Sequence, residues 1–105
     1  MSGQYCWFVK NYGGYCIFFQ VGKFCELYGA QAEKYSALFG WKLIRQTRRM
    51  GKQCGFPMKM LKGLKRKALL SGQPYIVVAE GGYYPCGLKR RAVTEVLYFK
   101  EGGGS

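Results

Sequence analysis

Phe24 and Glu26, one large aromatic and one carboxylate, stand two positions apart just after Gly22 and Lys23. A strand-like apolar run over 15–21 ends at that glycine, which permits a turn that residues with a Cβ resist. The apolar spacing from residue 24 onward is helical, so the pair is expected at a strand-to-helix corner, where side chains project away from the core. The catalytic inventory beside it is thin. The only acids are Glu26, Glu33, Glu80, Glu95 and Glu101, and the chain has neither Asp nor His. Metal-assisted phosphoryl chemistry needs several carboxylates converging on the ions, and the commonest general base is missing. No Gly-x-Ser-x-Gly, Walker A or Gly-x-Gly-x-x-Gly pattern occurs. The chain reads as non-enzymatic, with no cofactor.

Charge is the stronger signal. Seventeen Lys and Arg against five Glu give a net charge of +12 over 105 residues, which calls for a polyanionic partner. Two clusters carry much of it. Arg45, Arg48, Arg49 and Lys52 surround a turn after a strand-like segment. Lys59, Lys62, Lys65, Arg66 and Lys67 crowd one face of a helix that has no acid of its own. Such charges also serve as solvated edges and faces, yet like charges three and four apart on a helix repel. An anion resting on that face removes the conflict. No apolar run approaches the ~18 residues of a membrane span, so no membrane partner is expected.

Cysteines stand at 6, 16, 25, 54 and 86. No Cys-x-x-Cys occurs and the count is odd, which argues against zinc and against a disulfide framework. Scattered thiols suit a reducing cytoplasm.

The positioning elements follow in order. A short helix is expected over 4–11, with Ser2 as its cap. The strand over 15–21 is apolar throughout, as for burial on both faces. A helix from 24 ends at Gly40, with apolar positions 24, 27, 28, 35, 38 and 39 on one side. On that pattern Phe24 also serves as the first aromatic of a core stripe, and Glu26 as a first-turn acid favoured by the macrodipole. A strand over 41–48, a corner or short strand at 53–57 and a helix over 58–71 come next. Leu61, Leu64 and Ala68 face inward on that helix, completed by Leu69 or Leu70. Strands over 75–79 and 92–99 flank a turn region that contains Tyr83 and Tyr84, either a stacking platform or packing against the sheet. Residues 102–105 read as a Gly/Ser linker or appended tail, leaving 1–101 as one domain.

The segment Gly22-Lys23-Phe24-Cys25-Glu26-Leu27-Tyr28 resembles the Gly-Asp-Phe-Tyr-Glu-Leu-Phe signature of the N-terminal mismatch-recognition domain of MutS-type DNA mismatch-repair proteins. The order of elements, including the Gly55-Phe56-Pro57 corner, extends the resemblance over roughly residues 4–100. It implies an α/β (α+β) domain: a mixed central sheet of five or six strands flanked by three helices. It also implies that Phe24 wedges into a weakened base step while Glu26 hydrogen-bonds the disturbed base. Wedging costs a few kcal/mol of unstacking, less where the step is already weak. Lys23 departs from the family's Asp, and Cys25 from its aromatic; both bear on how strictly mismatches are discriminated. Small proteins resembling this domain accompany reverse transcriptases in diversity-generating retroelements. The expected ligand is therefore a DNA duplex, an RNA or an RNA–DNA hybrid, bound inside a larger nucleoprotein assembly. The rivals are a purely structural RNA-binding subunit of such a reverse transcriptase complex and a nuclease.

Overall fold

A computed structural model describes residues 2–45 and 51–99. Ten elements follow one another: α1 (Ser2–Asn11), β1 (Cys16–Val21), β2 (Phe24–Tyr28), α2 (Gly29–Phe39), β3 (Ile44–Arg45), β4 (Lys52–Pro57), a 3₁₀ turn (Met58–Met60), α3 (Leu61–Leu70), β5 (Tyr75–Tyr83) and β6 (Lys89–Leu97). The strands form one six-stranded sheet in the order β3-β4-β2-β1-β5-β6. β1 and β5 run parallel and the other neighbours antiparallel. The expected mixed sheet with three helices is what forms.

Strand alternation sorts the core into two layers. Cys16, Phe18, Cys25, Leu27, Cys54, Phe56, Tyr75 and Val77 point to one face, where α2 adds Ala32, Tyr35 and Phe39 and α3 adds Leu64 and Ala68. Ile17, Phe19, Tyr28, Ile76 and Val78 point to the other, covered by Tyr5 and Phe8 of α1. β1 is therefore buried on both faces, as its unbroken apolar run requires. Burying each large side chain contributes about 1.5–3 kcal/mol.

The helix expected from residue 24 begins five residues later. Val21 pairs directly with Phe24, so Gly22 and Lys23 form a two-residue hairpin turn, with Gly22 at φ 62°. That turn reverses the chain instead of launching a helix. Apolar residues at 24, 27 and 28 fit both periods, and pairing with strands on both sides decides for β. The strand-to-helix corner is Gly29, at φ 58°. Glu26 consequently lies in mid-strand, and the helix-dipole account of it does not apply. Gly22→Ala meets no atom within 4 Å, so its cost is conformational alone. A loss of roughly 1–2 kcal/mol is expected in urea unfolding.

Other boundaries move too. The strand expected over 41–48 starts at Ile44, and its described part is Ile44–Arg45, since residues 46–50 lie outside the described chain. β5 runs on to Tyr83, and β6 starts at Lys89. Leu69 and Leu70 are exposed rather than inward, because Leu64 and Ala68 already meet the sheet.

Candidate nucleic-acid interface

The β1–β2 turn is fixed from two sides. Gln20 Nε2 donates to the Gly22 carbonyl at 3.0 Å, and Gly22 N–H donates to Glu80 Oε2 at 3.1 Å. Met58 N–H donates to the Lys23 carbonyl at 2.8 Å, joining the turn to the start of the 3₁₀ segment. Phe24, the first residue of β2, is 50% exposed at this tip. Its neighbours β1 and β4 end here, opposite Val21 and Pro57. Phe24, Lys23 and Lys59 line one open cleft of about 570 Å³ with Gln20, Gly22, Pro57 and Met58. An exposed aromatic residue and two lysines thus line the same cleft.

Glu26 shares the Phe24 face of β2, one pleat repeat away, at roughly 7 Å. It lies between Phe19 on β1 and Gly55 on β4. A Cβ at Gly55 would come within 3.3 Å of the Cys25 carbonyl oxygen and 3.4 Å of Glu26 Cγ, so glycine there leaves the carboxylate room. The Tyr28 hydroxyl donates to Glu26 Oε1. Burial first, then the hydrogen bond to Glu26 and that residue's charge, push the Tyr28 phenol up, so it stays a donor. Among the described residues nothing donates to the second carboxylate oxygen.

The basic residues divide. Lys59, Lys62 and Arg66 are exposed at spacings of three and four, one stripe that starts at the Phe24 cleft. Lys65 turns away from it: its Nζ is 2.7 Å from Glu95 Oε1. The helix that carries no acid is therefore partly neutralised by β6, a contact that helix periodicity cannot reveal. Tyr75 also donates to Glu95, at 2.5 Å; with Lys65 it holds that carboxyl below its ordinary range. Arg45 and Lys52 pair across β3 and β4. Lys52 sits five residues from Pro57 along β4, roughly 17 Å at about 3.4 Å per residue. These two lie at the opposite end of the sheet from Phe24. Arg48 and Arg49 fall outside the described residues.

All five cysteines are free. Burial pushes the Cys16 and Cys25 thiols well up and the Cys54 thiol up to about 11, so these three are protonated packing residues. Among the described residues no three His, Cys, Asp or Glu gather as a metal site, and no helix is long and apolar enough to cross a membrane.

The sequence reading missed a buried polar centre behind the turn. The Arg91 side chain is 4% exposed and lies 2.9 Å from Glu80 Oε2. It also donates to Gln4 Oε1 at 2.6 Å and to the Gln20 carbonyl at 3.0 Å. Burial works to raise the Glu80 carboxyl, but Gly22 N–H, Lys89 and Arg91 outweigh it and hold the group below its usual range. A Glu five positions past a buried strand start, in so basic a chain, was the available signal.

The family model for MutS domain I matches residues 1–97. The chain belongs to the MutS domain I family. No curated protein matches it. Within this MutS domain I, Phe24 and Glu26 fall inside the matched span and are carried on a hairpin strand.

Proposed function

We propose that this MutS domain I is a non-catalytic module that binds distorted or mismatched duplex, with Phe24 as the wedge and Glu26 as the acceptor for the disturbed base. The observation that carries this reading is the half-exposed Phe24 ring on a turn pinned by hydrogen bonds, in one cleft with Lys23 and Lys59. The ring supplies stacking, and the cations supply phosphate attraction without sequence information. Binding then favours steps that cost least to open. Cytoplasmic action inside a larger nucleoprotein assembly belongs to the same reading.

A second reading draws on the exposed Lys59, Lys62 and Arg66 stripe. In it the domain is an RNA-binding accessory subunit of a reverse transcriptase complex and senses no mismatch.

Electrophoretic comparison of matched duplex, mismatched duplex, RNA–DNA hybrid and structured RNA at two salt concentrations separates them. The first reading requires a preference for mismatched over matched duplex that persists at the higher salt. Equal affinity for the two duplexes, with tighter binding to RNA, selects the second. Under the first reading, replacing Lys59, Lys62 and Arg66 together with Gln weakens all ligands alike. The slope of log affinity against log salt is expected to fall by about 2–3, near 0.9 per lost phosphate contact. The mismatch preference is unchanged.

A further inference from the structure

β5 pairs with β1 only from Tyr75 to Val78. Beyond that, β5 and β6 continue as a two-stranded arm, closed by a turn in which Tyr84 N–H donates to the Leu88 carbonyl at 2.8 Å. The register slips between Glu80 and Tyr83, and such bulges re-aim side chains. Past the slip, Tyr83, Tyr84 and Leu88 are 62%, 43% and 41% exposed. Across from the arm, α1 presents Trp7, 55% exposed and edge-on to Phe8 at 4.9 Å. Trp7 and Tyr84 line one cleft of about 250 Å³ with Gln4, Phe8 and Arg91.

Single exposed apolar side chains are ordinary, whereas a contiguous group marks a binding surface. The charges around this one name its occupant. Lys89 Nζ lies 5.9 Å from the Tyr83 ring centre, and the Arg90 guanidinium 5.0 Å from that of Tyr84. Residues 81–94 contain no acid at all. Lys89 reaches back to Glu80 at 3.3 Å, whereas Arg90 has no carboxylate partner among the described residues. Flat rings beside an unneutralised guanidinium match a ligand with flat bases and a phosphate backbone.

We propose that the cleft between α1 and the β5–β6 arm binds an unpaired nucleic-acid strand, with a base stacked on Trp7 and Tyr84 and the backbone drawn by Arg90. This is a second site, beyond the duplex site at Phe24. The two are neighbours, because Glu80 at the root of the arm accepts from Gly22 of the wedge turn. The pair together suits a duplex that opens into a single strand.

The chain has two tryptophans, and Trp41 packs against Phe56 at 5.4 Å. Trp41→Phe therefore leaves Trp7 as the sole indole emitter. Oligothymidylate and oligouridylate are titrated into this variant, reading indole emission and the anisotropy of an end-labelled strand. Saturable quenching by either strand, at the affinity given by anisotropy, is expected; which one quenches identifies DNA, RNA or both as the source. Tyr84→Ala, checked for native circular dichroism, weakens binding at least ~5-fold, the lower range for loss of a stacked base. Tyr84→Phe, which keeps the ring, restores it. Unchanged Trp7 emission with both strands, or equal binding by Tyr84→Ala, overturns the proposal. The Phe24→Ala protein keeps the quenching even when duplex discrimination is gone, so failure at either site is read separately.

Discussion

Phe24→Ala is expected to erase the difference in affinity between mismatched and matched duplex while leaving salt-sensitive binding to both. The ring is half-exposed at a strand end and absent from both core layers, so its removal leaves the fold intact. Base–aromatic stacking is worth about 1–3 kcal/mol, a roughly 5- to 150-fold change in affinity for the distorted site. Under the proposed function, matched duplex gains nothing from the wedge, and its affinity is set by the cations. Competition between the two duplexes, with thermal unfolding as the control, measures this directly. A variant that still ranks the two duplexes as the parent does assigns discrimination to another residue. Phe24→Trp, which keeps a large flat ring, is expected to retain the ranking.

Arg91→Ala is expected to produce the largest loss of stability, about 3–5 kcal/mol, because it removes the buried member of an ion pair and leaves the half-buried Glu80 carboxylate with only Lys89 and the Gly22 N–H. Against a typical total of about 5–15 kcal/mol, that brings the domain close to unfolding. Arg91 joins α1, β1 and β5 to β6 through Gln4, the Gln20 carbonyl and Glu80, and its guanidinium lies 4.9 Å from the Phe19 ring centre. Adding Glu80→Gln to Arg91→Ala recovers part of the loss by removing a charge that Lys89 alone then balances. The pH dependence has a definite sign. Glu80 is held below its ordinary 4.5, so its contribution is present above that value and disappears as pH falls through the lower folded-state value. Urea unfolding of the parent and of Glu80→Gln therefore differs at pH 6 and converges under acid. A gap that widens on acidification contradicts the assignment.

Much of the architecture was legible because buried strands and amphipathic helices leave different periods. The 15–21 and 75–79 runs could only be interior strands, and Leu61, Leu64 and Ala68 marked the inward side of α3. The segment after Gly22 misled because Phe24, Leu27 and Tyr28 satisfy a helix as well as a strand over so few residues. Only the pairing of β2 with β1 and β4 separates the two, and that is set by residues 53–57, far along the chain. Phe24 nevertheless stayed at an exposed tip, since a hairpin end and a helix start both leave a first residue uncovered. The charge sites split for a similar reason. Composition shows an excess of cations, but only the fold reveals that Lys65 and Arg91 are internally neutralised while Lys59 stands beside Phe24. Trp7 and Tyr84 come together from opposite ends of the chain, which no local pattern records.

The parallel pairing of β1 with β5 carries a consequence for how the domain assembles. Cys16 meets Tyr75 across this seam, so the middle of the sheet closes only once a segment far downstream of β1 is available. Non-local pairings of this kind are slow because loop entropy is lost before any contact is gained. The β1–β2 hairpin needs only a two-residue reversal and forms on a microsecond scale. During synthesis the Phe24 hairpin is therefore built early, while β1 keeps an apolar open edge until β5 leaves the ribosome.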